Sequence, residues 1–86
     1  MNPAPYEILI TRRAEKDIEK LSPQLKDKLY GILTEVIAVN PFEGKKLVGD
    51  LEGYYSHRLN YQDRIVYSIH SKRRTVYIER ARTHYE

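Results

Sequence analysis

The sequence predicts an α+β fold, an antiparallel sheet with a helical hairpin packed on one face, and three observations carry that prediction. Up to about residue 40 the apolar residues recur at helical spacing, and after Gly53 they alternate with period two. The stretch between, Pro41 to Gly53, gathers three of the four glycines and reads as a loop. With 86 residues the chain has material for one domain, 1–86, built of two packed layers around a thin core.

The elements follow in order. Residues 1–5 contain two prolines and read as a ragged lead, and YEILI is a short run of strand formers from about Tyr6 to Ile10. Thr11 is placed to cap a helix over Arg12 to Leu21, in which Ala14, Ile18 and Leu21 recur on one face. In SPQLKDKLYGILTEVIAVNP, Ser22 is the cap of a second helix and Pro23 takes its first position, where a missing N–H costs nothing. Leu25, Leu29, Ile32, Leu33, Val36 and Ile37 form its apolar stripe, and Asn40-Pro41 ends it. YYSHRL, RIVYSIH and TVYIERAR are then three strands separated by the polar turns NYQD and SKRR, a meander. The predicted order is strand, helix, helix, strand, strand, strand.

Composition removes several function classes. There is no cysteine, which excludes disulfides, thiolate metal sites and cysteine nucleophiles and suits a reducing cytoplasm. The three histidines are scattered, no HExxH or paired-carboxylate spacing occurs, and GKKLVG is neither a Walker loop nor a GxGxxG turn, so the residues call for no metal and no cofactor. No apolar run reaches the roughly 18 residues that span a bilayer, and MNPAPYEILI lacks the cationic start of a signal peptide, so no membrane partner is expected. Charge is asymmetric. Residues 1–44 carry six Lys/Arg against seven Asp/Glu, and residues 45–86 carry nine against five, which makes the second half the one that faces a polyanion.

The strand pattern locates candidate site residues. Ile65, Tyr67 and Ile69 share one side of their strand and Arg64, Val66 and Ser68 the other, whereas Val76, Ile78, Arg80, Arg82 and His84 share one parity. Apolar residues and cations thus fall on one side unless a bulge intervenes or the strand leaves the core; the simpler reading is a strand buried at its start that opens into a cleft at its end. For Lys72, Arg73 and Arg74 a solvated turn is the better account, since charges commonly blunt sheet edges. Arg58, Arg64, Arg82 and His84 lie in or beside strands interleaved with tyrosines and are the better site candidates. His57 and His70 read as surface residues, and Tyr30, Tyr67 and Tyr77 as core or sheet packing. Such a set matches cleavage of RNA by its own 2′-hydroxyl, which needs a base, cations on the pentacovalent phosphate, an acid for the leaving oxygen and rings that stack bases.

The order of elements together with PFEG (Pro41 to Gly44), KLVGDLEGYYSHRL (Lys46 to Leu59), DRIVYSI (Asp63 to Ile69) and the ending RTHYE (Arg82 to Glu86) resembles the RelE/ParE superfamily of toxins from type II toxin-antitoxin systems. Within it the chain looks most like the YoeB/Txe branch, whose members end in a His-Tyr pair. The resemblance implies a small RelE-like, microbial-RNase-like α+β fold acting as a metal-independent mRNA interferase that cuts messages in the ribosomal 30S A site. It also implies a cognate antitoxin whose partly disordered segment folds over the toxin, and operator DNA as a partner only through the toxin-antitoxin complex.

Residue by residue, the resemblance assigns Arg64 to the scissile phosphate, His84 to proton transfer and Tyr85 to orienting the nucleotide, with Arg58 and Arg82 as further cations. In the YoeB pattern a glutamate that can act as base lies between PFEG and the next leucine, in a longer loop. Here only Lys45 and Lys46 separate Gly44 from Leu47, and no carboxylate occupies that place. The base is thus open between His84, Glu52 and Glu43, with Lys45 and Lys46 as phosphate-binding or catalytic cations. Two competing functions share the fold: a ParE-type gyrase poison, against which the His-Tyr ending argues, and a catalytically decayed relative that only binds antitoxin.

Overall fold

The structure, a computed structural model, describes residues 4–81. Arg82, His84 and Tyr85 lie outside the described residues.

Strand β1 (Glu7–Ile10) leads directly into helix α1 (Arg12–Glu19), whose N-cap Thr11 accepts a hydrogen bond from the Ala14 N–H at 3.2 Å. The same hydroxyl donates to the Ile78 carbonyl at 3.0 Å, so the cap also fixes the helix start to the sheet. Ser22 caps helix α2 (Pro23–Ile32) in the same way, accepting from the Leu25 N–H at 3.3 Å, with Pro23 in the first turn. The predicted helix runs on past Ile32 as a π-helical turn over Leu33–Ile37 and stops before Asn40, whose side chain caps a short 3-10 turn at Pro41–Glu43.

The predicted loop holds more structure than its composition suggested. Lys45–Lys46 form a two-residue strand, β2, and Gly49–Leu51 a second 3-10 turn. A strand that short has no periodicity to read. The meander is as expected, with β3 (Tyr54–Arg58), β4 (Arg64–His70) and β5 (Thr75–Arg80). Sheet order is β1-β5-β4-β3-β2, and three of the four pairings are antiparallel. β1 lies parallel to β5, because the two helices carry the chain across before the meander returns beside it.

Register assigns the faces. Tyr55 stands opposite Tyr67, Tyr67 opposite Ile78, and Ile69 opposite Val76, so these residues share one side of the sheet. Ala14 and Ile18 of α1 and Leu29, Leu33 and Ile37 close on that side against Ile65, Tyr67, Val76 and Ile78 to form the core. Tyr30 corrects the sequence reading. It follows Leu29 by one position, about 100° around the helix, and is exposed rather than packed. Tyr67 is fully buried and donates to the Pro41 carbonyl at 2.7 Å, and Tyr77 meets His70 edge-on at 4.8 Å between ring centres.

The PFEG segment owes its glycine to this tyrosine. A Cβ on Gly44 would lie 2.0 Å from the Tyr67 hydroxyl oxygen and 3.0 Å from the Ser56 carbonyl oxygen, so the backbone closes over the phenol only because the side chain is absent. From Tyr67 a row of rings runs outward: Tyr55 stacked at 5.9 Å, Phe42 edge-on to Tyr55 at 6.0 Å, and Tyr6 edge-on to Phe42 at 6.4 Å. Arg74 ends the row, its guanidinium 4.4 Å from the Tyr6 ring centre while also donating to the Ala4 carbonyl. That cation is half-buried in a structural contact, where the sequence reading expected a solvated turn residue.

Candidate functional site

The face of the sheet turned away from the helices carries the candidate site. Arg58 and Arg64 stand directly opposite each other at the start of the β3–β4 pair. Asn60 makes this approach possible. Its side-chain oxygen accepts the backbone N–H groups of Gln62 and Asp63, and Leu59 N–H donates to the Asp63 carbonyl at 2.8 Å, which closes the NYQD turn. Like charges opposed across a ladder are destabilising. Neither arginine has an ion-pair partner among the described residues.

Lys45 is opposite Ser56, which shares the arginines' parity, so it stands on the same face; Lys46 is opposite Tyr55 and belongs to the other. The two lysines, equivalent in sequence, are thereby separated. His57 is opposite Ile65 and so lies on the helix side, while His70 shares the face of Ser68 and Val66.

A bulge resolves the parity conflict in the last strand. Tyr67 pairs with Ile78 but Val66 pairs with Arg80, so Glu79 is an extra residue in β5. Before it, Val76 and Ile78 face the core; after it, Arg80 has crossed to the side of Val66. The strand is also buried at its start and half-exposed at its end, as the sequence reading expected, but the bulge supplies the change of face.

Arg80 is held by Asp17 of α1. Its Nε lies 2.8 Å and its Nη2 3.3 Å from the carboxylate oxygens, and the Ala81 N–H donates to the same carboxylate at 3.1 Å. Asp17 is nearly buried and occupies the apolar stripe between Ala14 and Ile18. An acid on a core-facing stripe signals a buried partner, and sequence reading passed over it.

Among the described residues, two clefts adjoin this face, and Arg58, Arg64 and Lys45 line neither of them. One of about 280 Å³ is lined by Arg13, Leu51, Tyr54, Val66, Glu79 and Arg80. The other, about 400 Å³, is lined by Glu52, Gly53, Tyr54, Ser68, His70 and Glu79, with Ile69 completing it. Of the two candidate carboxylates, Glu52 lines the second cleft, whereas Glu43 lines neither and is in the 3-10 turn beside Tyr67. Arg13, Tyr54 and Glu79 were not singled out in the sequence. Two of them are legible only once the bulge and the neighbouring strand register are known.

An α+β domain of this size, with a helical pair on one face of a small mixed sheet and an arginine pair on the other, has the architecture of the small toxins of bacterial toxin-antitoxin systems. A family model described as the ParE-like toxin of type II bacterial toxin-antitoxin systems matches residues 8–86, and the chain belongs to that family. Among solved structures it is similar to the toxin-antitoxin complex RelBE2 from Mycobacterium tuberculosis, at 27% identity and a TM-score of 0.86, covering 96% of this chain and 95% of the other. It is similar also to the YoeB-YefM complex from Staphylococcus aureus, at 26% identity and a TM-score of 0.75 over 95% and 100% of the two chains. The YoeB/ParE toxin from Agrobacterium tumefaciens shares the fold, at 22% identity and a TM-score of 0.81 over 92% and 99%. No curated protein sequence matches significantly.

Proposed function

We propose that this toxin is a ribosome-dependent endoribonuclease that cleaves mRNA in the A site and so arrests translation, with no metal required. The observation that carries the reading is the opposed pair Arg58–Arg64, two cations set side by side on an open sheet face with no ion-pair partner among the described residues. A bound phosphodiester compensates their repulsion, and it is held more strongly as negative charge builds on the pentacovalent phosphate. In this reading Arg64 holds the scissile phosphate, Arg58 and Lys45 guide the flanking backbone, and Arg82, His84 and Tyr85 complete the site as the family pattern assigns them. The 2′-oxygen bonds to phosphorus as its proton passes to a base. The P–O5′ bond breaks and the 5′-oxygen takes a proton, for which His84 is the donor.

Its partner is a cognate antitoxin, in keeping with the complexes formed by the RelBE2 and YoeB relatives. An acidic segment folding onto the cationic face suits that role.

The family's ParE-like description favours a second reading, a gyrase-directed toxin with no RNA chemistry. Induced expression separates the two. Growth arrest with message cleavage and unchanged plasmid supercoiling is expected, and Arg64→Ala is expected to abolish the arrest, since loss of such charge stabilisation costs on the order of 100-fold or more in rate. Arrest with altered supercoiling and intact messages would replace the ribonuclease reading with the gyrase one.

A further inference from the structure

We infer that Glu79 is the general base of this toxin, taking the proton of the attacking 2′-hydroxyl; the inference rests on the endoribonuclease reading. The bulge between Val66 and Tyr67 of β4 places Glu79 as the extra residue of β5, next to the point where the strand turns its cations onto the open face. Its side chain lines both clefts, with Arg13 in one and Glu52 and His70 in the other. Arg64 and Val66 are two positions apart on β4, about 7 Å along the strand, and Val66 stands against the bulge. The partner that holds the carboxylate is Ser68, four positions from Arg64 on the same side of β4 and about 13 Å along the strand. The arginine side chain and one bound nucleotide span that distance, so that the ribose would lie toward Glu79.

The carboxylate is oriented for this task. Ser68 Oγ donates to Glu79 Oε2 at 3.2 Å and so fixes one oxygen, while Oε1 has no hydrogen-bond donor among the described residues. His70 Nε2 lies 3.4 Å from the same hydroxyl. Since the serine proton is given to the carboxylate, Ser68 is a positioning residue for Glu79 and not a nucleophile activated by His70.

The other carboxylates are less well placed. Asp17 is committed to Arg80 and Ala81, Glu43 is outside both clefts, and Glu52 is exposed in the loop before β3. Among the described residues, the charged and titratable groups lining the clefts with Glu79 are Arg80 on its own strand, Arg13 from α1, Tyr54 from β3, His70 from β4 and Glu52 from the loop. Arg13 offsets the repulsion between a carboxylate and an approaching phosphodiester.

The step balances without a co-reactant. The 2′-O–H proton goes to Glu79 Oε1, the 2′-O–P bond forms, the P–O5′ bond breaks, and the released 5′-oxygen is protonated, leaving a 2′,3′-cyclic phosphate and a 5′-hydroxyl.

The experiment is single-turnover cleavage of a message on programmed ribosomes by the native protein, Glu79→Gln and Glu52→Gln, alongside binding of a message carrying a 2′-deoxynucleotide at the cut site. Gln keeps the shape and the acceptor for Ser68, so a structural role survives the change and a base does not. Expected are cleavage slowed by about 100-fold or more in Glu79→Gln, unchanged binding of the 2′-deoxy message, and native-like cleavage by Glu52→Gln. Glu79→Ala with added acetate is the second variant, and recovery of cutting with acetate concentration is expected. Native-like cutting by Glu79→Gln, a loss explained by weaker binding, or no acetate recovery overturns the assignment and leaves the ribonuclease reading standing. No cleavage by the native protein overturns both.

Discussion

Tyr67 shows how one side chain ties together several parts of the fold. Burial pushes its phenol up to about 12, and the hydroxyl is sealed between the Pro41 carbonyl and the Gly44 backbone. The unfolded chain releases this proton near 10, whereas the folded protein holds it to about 12. Between those values the folded state binds more protons, so stability is full below the lower value and falls as pH rises through the window, by on the order of 2 kcal/mol. Tyr67→Phe is expected to flatten that alkaline loss in urea titrations across pH, at a cost of about 1 kcal/mol at neutral pH for the lost hydrogen bond. Gly44→Ala is expected to destabilise by about 1–3 kcal/mol through overpacking, and the Tyr67→Phe background should relieve part of that cost. Additive losses in the double variant would show that the two residues do not meet.

At the scale of elements, the link between α1 and β5 sets where the open face begins. Asp17 and Arg80 are paired with side-chain exposures of 7% and 25%, and Asp17 also accepts the buried Ala81 N–H, so removing its carboxylate takes charge-assisted hydrogen bonds from both at a cost of about 1.5–3 kcal/mol. Asp17→Ala is expected to lower the urea midpoint accordingly, and a native-like midpoint would contradict the pairing. Much of this level was legible in the sequence: both helix caps, the stripe of Leu29, Leu33 and Ile37, and the three meander strands follow from spacing and capping chemistry. What was hidden has a physical reason in each case. β2 is two residues long and carries no pattern of its own. The parallel neighbour of β5 depends on how the helical pair crosses over. The bulge at Glu79 arises from pairing between β4 and β5, which neither strand records alone.

For the whole molecule, the division of labour is between a helix-covered face that supplies stability and an open face that supplies charge. Arg58 and Arg64 were legible as candidates because they lie in or beside strands interleaved with tyrosines, and the structure places them on one face with Lys45. Lys46 was indistinguishable from Lys45 until register assigned it to the opposite face. Arg13, Tyr54 and Glu79 come to line the clefts only through tertiary placement, and Arg82, His84 and Tyr85 are proposed from the family pattern and lie outside the described residues. The measurement that bears most directly on this account is primer extension on a defined message in a reconstituted translation system, with the native protein, Arg64→Ala and His84→Ala compared at equal folded concentration. Cuts within A-site codons that require the ribosome and disappear in both variants are the expected result. Intact messages with the folded native protein, or undiminished cutting by Arg64→Ala, would contradict it.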